Sequence, residues 1–371
     1  MGDQAVEFEG VSKKFGSLAA VDNVTFSIAK GEFFCLIGPS GCGKTTTLRL
    51  IAGLIRPDAG KLMIYGTDYT NVPTYKRPIS MVFQNWALFP HLTVYENVAF
   101  GPRMHGVSQQ ALKDEVKDAL RLVRMEEYAQ RKPRELSGGQ QQRVGIARAL
   151  VVKPEIILLD EPLGNLDFKL QLQLQIELAQ LHKELGGTFV YVTHDQRQAV
   201  GLGNRICVMN NGHIEQLDAS AAIYSTPANV FVAKFVGESN IVEGRVTHSD
   251  ERGSVIDTIL GPFKFKGGSH AEGKKVWLFW RPENSLIGTE SQGADYTFDC
   301  LVKSVQTSGQ VTHYELEVDS TNLKVVKTGL PDPTVQEQTR TRVGVKGDQI
   351  VMLDKVSSIA SADVERTLLG A

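Results

Sequence analysis

The 371-residue sequence predicts an α/β domain built on a parallel core sheet, followed by a smaller all-β domain. Three observations carry that reading. The apolar run Phe33 to Ile37 leads into Gly38-Pro-Ser-Gly-Cys-Gly-Lys44-Thr45, which fits GxxxxGK[ST] and opens a segment with Leu48, Ile51, Ala52 and Ile55 on one helical face. Ile156-Ile-Leu-Leu-Asp160-Glu161 is an apolar strand ending in two carboxylates, and parallel sheets place their chemistry at that carboxyl edge. After Phe235-Val-Gly-Glu-Ser-Asn240 the pattern changes to short alternating segments separated by turn residues.

The glycine-rich loop reads as a cradle for nucleotide phosphates. Its residue types put free N–H groups at a helix N-terminus, where anions are favoured, and three glycines let the backbone wrap closely around phosphate oxygens. Gly38, Ser40, Gly41, Cys42, Gly43, Lys44, Thr45 and Thr46 are therefore the expected nucleotide contacts. Lys44 is expected to reach the β and γ phosphates, and the Thr45 hydroxyl to enter an Mg2+ shell. Asp160 is expected to hold the same ion. If the chain turns at Pro162, Glu161 faces the other way and polarises a water aimed at the γ phosphate.

Leu136-Ser-Gly-Gly-Gln140 precedes a helix with Val144, Ala147, Leu150 and Val151 on one side, and Ser137 with Gln140 satisfies a capping box. Alone this is an ordinary helix start. Two glycines in its first turn strip side chains from a positive helix end and allow phosphate to approach.

This ordered set, with Thr193-His194-Asp195 downstream, resembles the nucleotide-binding subunit of ABC transporters. The resemblance implies a P-loop NTPase with a RecA-like core, a strand-rich edge and a helical subdomain, with ATP and Mg2+ as ligands. It further implies that Ser137, Gly138, Gly139 and Gln140 of one subunit close over ATP held by another, so the chain pairs as a homodimer. Val82-Phe-Gln84 resembles the family's Q-loop, with Gln84 at the metal and sensing the membrane partner. Leu163-Gly-Asn-Leu-Asp167 resembles its D-loop, which brings in Asp167. His194 would bond the γ phosphate and the attacking water, a role that needs position more than charge. Phe15, in Lys13-Lys14-Phe15-Gly16, stands where the family stacks an aromatic ring on adenine, and it also reads as plain core. Departures are Gly164, where serine is usual, and Arg197-Gln198, where acidic residues are common.

At this length two domains are expected, since single cores stop growing at roughly 250 to 300 residues. The pattern divides the chain into 1–237 and 238–371. A net charge of −2 gives no electrostatic case for nucleic acid. No segment reaches the roughly 18 apolar residues of a membrane span, and the acidic start is unlike a signal peptide, so a cytoplasmic protein is expected. Cys35, Cys42, Cys207 and Cys300 show neither C-x-x-C spacing nor a paired framework. Cys42 lies inside the cradle, where the positive helix end is expected to lower its pKa; it also reads as a small residue tolerated there.

Short apolar segments from Val6 to about Gly66 predict a strand-rich edge, and Ile79 to Phe83 continues the core sheet. A helical insert covers about 85–152, with a helix starting at Ser108. Leu170, Leu174, Leu178, Leu181 and Leu185 predict a helix despite local period-two alternation, and Asn211-Gly212 predicts a hairpin. Trp86, Leu88, Phe89 and Tyr95 lie in an aromatic run that the family turns toward the membrane subunit, and ordinary packing of the helical insert explains about half of them equally well. With Arg281-Pro-Glu283, the all-β region resembles the oligonucleotide-fold-like regulatory domain of importer ATPases. The resemblance thus implies the ATP-hydrolysing subunit of a bacterial importer, peripheral on the cytoplasmic face of the inner membrane. Its partners would be two integral permease subunits and, indirectly, an extracytoplasmic solute-binding protein. The text around Phe235 to Asn240 looks most like polyamine importers, with sugar, glycerol phosphate, ferric iron and phosphonate systems as alternatives. A soluble ABC-type switch on ribosomes or DNA is the rival from another class, and it usually carries two cassettes per chain.

Overall fold

The computed structural model describes residues 3–164, 166–266 and 270–358. The chain forms two compact units, Met1–Ser220 and Ala221–Ala371.

In the first unit, β1 (Gln4–Phe15) and β2 (Leu18–Ala29) form an antiparallel pair, with β4 (Ala59–Ile64) and β5 (Thr67–Asp68) completing a four-stranded sheet in the order β2-β1-β4-β5. The second sheet contains β3 (Phe33–Ile37), β6 (Ile79–Val82), β7 (Ile156–Asp160), β8 (Thr188–Val192), β9 (Arg205–Asn210) and β10 (His213–Ala219), ordered β10-β9-β3-β8-β7-β6. Strands β9, β3, β8, β7 and β6 are parallel, so their carboxyl ends share one edge. The expected hairpin joins β9 to β10, with Asn211 and Gly212 both at positive φ (46° and 81°), the geometry that matches strand twist in a two-residue turn.

Helix α1 (Lys44–Ala52) is packed with both sheets: Leu48, Leu50 and Ile51 share a core with Val6, Phe8 and Ile28 of the first sheet and Leu36, Leu158 and Val190 of the second. It ends sooner than its apolar spacing predicted. Gly53 takes φ 72° and closes the helix, leaving Ile55 outside it though packed on the same core. The insert consists of α2 (Val94–Met104), α3 (Gln109–Leu122) and α4 (Gly138–Leu150). Ser108 caps α3, whose Leu112, Val116, Ala119 and Leu120 are buried. Helix α5 (Phe168–Leu185) follows β7, with Leu174, Leu178 and Leu181 inward as the i, i+4, i+7 spacing requires, and α6 (Gln196–Leu202) follows β8.

The division falls earlier than the 237/238 boundary read from the pattern. Helix α7 (Ser220–Ser225) spans it, and α8 (Val230–Phe235) clusters Val230 and Ala233 with Trp277, Phe279, Leu353 and Val356 of the β-rich region. Apolar helix residues follow the surface that covers them, so alternation alone marked where strands begin but not where the unit does.

The second unit has two antiparallel five-stranded sheets. The first comprises β11 (Asn240–Asp250), β12 (Gly253–Thr258), β13 (Gly261–Lys266), β14 (Lys275–Trp280) and β20 (Val351–Leu353), ordered β13-β12-β11-β14-β20. The second comprises β15 (Ser285–Ile287), β16 (Tyr296–Ser308), β17 (Val311–Val318), β18 (Thr321–Thr328) and β19 (Arg340–Val345), ordered β15-β19-β16-β17-β18. One core joins Val242, Phe263, Leu278 and Trp280 to Val302, Tyr314, Leu316 and Val343. Asn240 ties the sheets together: its amide donates to Lys324 O at 2.8 Å and accepts from Lys324 N at 2.7 Å.

Arg281 fixes the helices to this unit. Its buried guanidinium donates to Tyr224 O, Ala233 O and Glu238 O, with the Tyr224 ring 4.1 Å and the Phe279 ring 4.8 Å from its centre. Removing it leaves the buried Ala233 carbonyl and two part-buried carbonyls without this donor. Arg281→Met is expected to cost about 3 kcal/mol, read as an earlier urea unfolding transition through the emission of Trp277 and Trp280.

Candidate functional site

The site lies at the carboxyl edge of the parallel strands. Two glycines of the loop after β3 are required by close approach as well as by conformation. Gly38 has φ 154°, and a Cβ there would collide with Met209 O and crowd Cys42 Sγ; Gly43 has φ 109°, and a Cβ there would collide with Ala20 O. Gly41, also at positive φ (80°), and Ser40 form the exposed tip. No side chain caps α1, so its first N–H groups stay open to an anion, with Thr45 and Thr46 half-buried in that turn.

Lys44 is only 6% exposed, and its ammonium donates to Gly38 O at 2.8 Å and Pro39 O at 2.9 Å. Thr45 Oγ1 donates to Asp160 Oδ1 at 3.4 Å. Desolvation, and then the neighbouring Glu161 charge, hold the Asp160 carboxyl above the ordinary aspartate range, while Arg49, Thr45 and Lys44 pull it back.

The chain turns at Glu161 itself, one residue before the expected Pro162: Glu161 takes φ 46°, its N–H still donating to Val192 O at 2.9 Å. Glu161 Oε2 accepts from Gln84 Nε2 at 3.1 Å and lies 3.3 Å from His194 Nδ1. Residues just beyond the ends of β6 and β8 are thus brought to one oxygen of the residue that follows β7.

Phe15 is 52% exposed at the end of β1, which removes the core reading, and Lys13 Nζ stands 5.6 Å from its ring centre. It pairs with Leu18 across the hairpin whose Ala20 carbonyl crowds Gly43.

The Ser137 segment is not joined to this cradle by any hydrogen bond or ion pair among the described residues. Ser137 Oγ accepts from Gln140 N and Gln140 Oε1 accepts from Ser137 N at 2.9 Å, completing the expected capping box. Gly138 and Gly139 back onto Leu166 and Leu170 so closely that Cβ atoms would come within 3.1 and 2.9 Å of them. Asp167 caps α5 by accepting from Leu170 N at 3.0 Å. Asn165, in the expected D-loop, lies outside the described residues.

One expectation needs correction. Cys42 is buried, and desolvation pushes its thiol pKa up; the Lys44 charge only partly offsets this, so the reactive-thiol reading fails. In the aromatic run, Trp86, Leu88, Phe89 and Tyr95 are all partly covered. Phe89 packs 4.6 Å from Phe100, and Trp86 Nε1 points at Pro162 O. The more open apolar side chains around it are Phe83, Phe100 and Met104.

Sequence reasoning also missed two roles. Gln198, noted only as a departure, is buried and accepts from Tyr191 OH at 2.7 Å and Thr193 Oγ1 at 3.1 Å, holding the end of β8 beside His194. An ionised side chain there would be a buried charge. Arg148 grips the segment after Gln84, and nothing in its helical context signals that.

A family profile described as "ABC transporter" matches residues 21–164. The chain is 46% identical over 316 residues to the spermidine/putrescine import ATP-binding protein PotA of Rubrobacter xylanophilus, covering 84% of this chain and 83% of that one. The chain belongs to the ABC transporter family of ATP-binding proteins. This ABC ATPase is also 44% identical over 328 residues to the protein of the same name from Protochlamydia amoebophila, covering 87% and 88% of the two chains. Among solved structures, the dimeric post-hydrolysis state of an ATP-binding cassette bound to ADP and Pi is 36% identical, with a TM-score of 0.52, covering 58% of this chain and 98% of that one. A dimeric bacterial ABC transporter cassette aligns with the same values.

Burial of Cys42 gives a direct check. Because all four cysteines are buried, alkylation of the native ATPase at pH 7.5 is expected to label Cys42 at least about tenfold more slowly than in the unfolded chain, with or without nucleotide. Rapid labelling that ATP suppresses would restore the exposed-thiol reading.

Proposed function

We propose that the chain is the ATP-hydrolysing subunit of an importer for polyamines of the spermidine and putrescine type. The observation that carries the catalytic reading is the Glu161 carboxylate, turned out of β7 and held between Gln84 and His194 beside an uncapped helix N-terminus. The names of the relatives carry the solute.

In this reading the open N–H groups of the loop and of α1 take the phosphates. Lys44 leaves two backbone carbonyls for the β and γ oxygens, a charge-assisted contact in a dry site. Phe15 stacks on the adenine. Thr45, Asp160 and Gln84 supply oxygens, which suit Mg2+; no group of three or more His, Cys, Asp or Glu among the described residues could hold a metal alone, so the ion would be shared with the phosphates. The ion supplies charge neutralisation on the phosphate oxygens.

Glu161 accepts the proton of the attacking water, and His194, fixed by its contact with Glu161, hydrogen-bonds that water and the γ phosphate. Ser137, Gly138, Gly139, Gln140 and Asp167 act in trans, on nucleotide held by a second copy, in keeping with the lack of any hydrogen bond or ion pair between them and their own cradle among the described residues. ATP-driven closure of the homodimer moves two permease subunits, and hydrolysis resets it. No described helix is long and apolar enough to cross a membrane. The proposed place is the cytoplasmic face, reached through the permeases, which a solute-binding protein serves from the other side.

Glu161→Gln is expected to bind ATP, to hydrolyse it about 10² to 10⁴ times more slowly, and to accumulate as a dimer by light scattering. Lys44→Ala is expected to lose most ATP affinity instead. Full turnover in the first variant would reassign the base. For the solute, deleting the encoding gene should abolish uptake of radiolabelled spermidine and spare that of maltose; the reverse pattern would replace polyamine with sugar.

A further inference from the structure

Arg148 belongs to no motif, yet its guanidinium donates to two successive carbonyls, Ala87 O and Trp86 O, each at 2.7 Å. Both acceptor residues are in the left-handed region, Trp86 at φ 53° and Ala87 at φ 46°. Non-glycine residues persist there only where surroundings impose it. Arg148 makes no ion pair among the described residues, so its charge is directed at these carbonyls, with the Phe89 ring 5.6 Å from its centre.

The gripped segment touches both halves of the proposed chemistry. Two residues upstream, Gln84 reaches Glu161 Oε2. Trp86 itself lies on the glycines of α4: a Cβ at Gly145 would be 3.4 Å from Trp86 Cβ, and one at Gly138 would be 3.5 Å from Trp86 Cη2. Its indole N–H points at Pro162 O, 3.5 Å away, in the residue after Glu161. Arg148 stands on the same helix that Ser137 caps.

We propose that Arg148 is a positioning residue for ATP hydrolysis. By clamping residues 86 and 87 in their strained turn it keeps Gln84 on Glu161, and it makes that contact depend on where α4 stands. The inference rests on the proposed role of Glu161. It also assigns the fork its purpose, because the two carbonyls are met by two separate nitrogens held in one plane, a spacing that the single nitrogen of a lysine reproduces less well.

The test is steady-state hydrolysis by the full-length chain, with Trp86 emission isolated as the difference between wild type and Trp86→Phe. Arg148→Met is expected to lower kcat about 10- to 100-fold while the KM for ATP changes less than about twofold, and Arg148→Lys to fall between it and wild type. The ATP-induced change in Trp86 emission should shrink in the same order. If Arg148→Met does not fold, Arg148→Lys decides. A lysine variant with wild-type kcat, whatever its melting temperature, makes Arg148 a structural strut and overturns the proposal. Glu161→Gln run in parallel separates the two readings. Unchanged turnover there sinks the role of Glu161 and the positioning role with it, whereas lost turnover beside a fully active Arg148→Lys sinks the positioning role alone.

Discussion

A buried ammonium must be solvated by something, and in this ATPase the first unit is arranged so that backbone carbonyls do it. Lys44 is enclosed by the loop whose own Gly38 and Pro39 carbonyls accept its protons. That loop can fold so tightly only because Gly38 and Gly43 lack side chains where β9 and β2 press against them. The antiparallel sheet and the parallel sheet are therefore pinned to the cradle from opposite flanks, through Ala20 and Met209. The proposed phosphate site is where the two sheets of the unit approach one loop.

The catalytic edge depends on the same kind of constraint. A carboxylate at the end of an apolar strand would ordinarily continue the alternation and point into solvent or core. Glu161 instead leaves the strand through a positive φ, and the turn is held by its backbone hydrogen bond to Val192 O and by Gln84 and His194 at the carboxylate. Gln198 then steadies β8 through two hydroxyls.

The cradle, β7, the capping box, the hairpin at Asn211 and the leucine-rich helix were all legible in the sequence, because each is fixed by local chemistry: glycine at positive φ, apolar runs of strand length, capping side chains and helical spacing. Most of what escaped depended on contacts distant in sequence, although the end of α1 was missed at a local signal, Gly53. The end of α1 turned on Gly53 rather than on Ile55, and the second unit begins in helices whose apolar residues are indistinguishable by spacing from those of the first. Cys42 was misread because proximity to a positive helix end is visible in a sequence while desolvation is not. Trp86 and Phe89 read as surface and are half-covered, since α4 and Arg148 reach them from some sixty residues away.

The capping box at Ser137 has a kinetic implication. Both of its hydrogen bonds exist in the isolated chain, and the glycines behind it are already seated on Leu166 and Leu170. The segment proposed to meet another copy's nucleotide has little conformational entropy left to lose. Closure then becomes an encounter between two ordered surfaces, limited by their orientation and by diffusion, with no slow loop-ordering step placed before it.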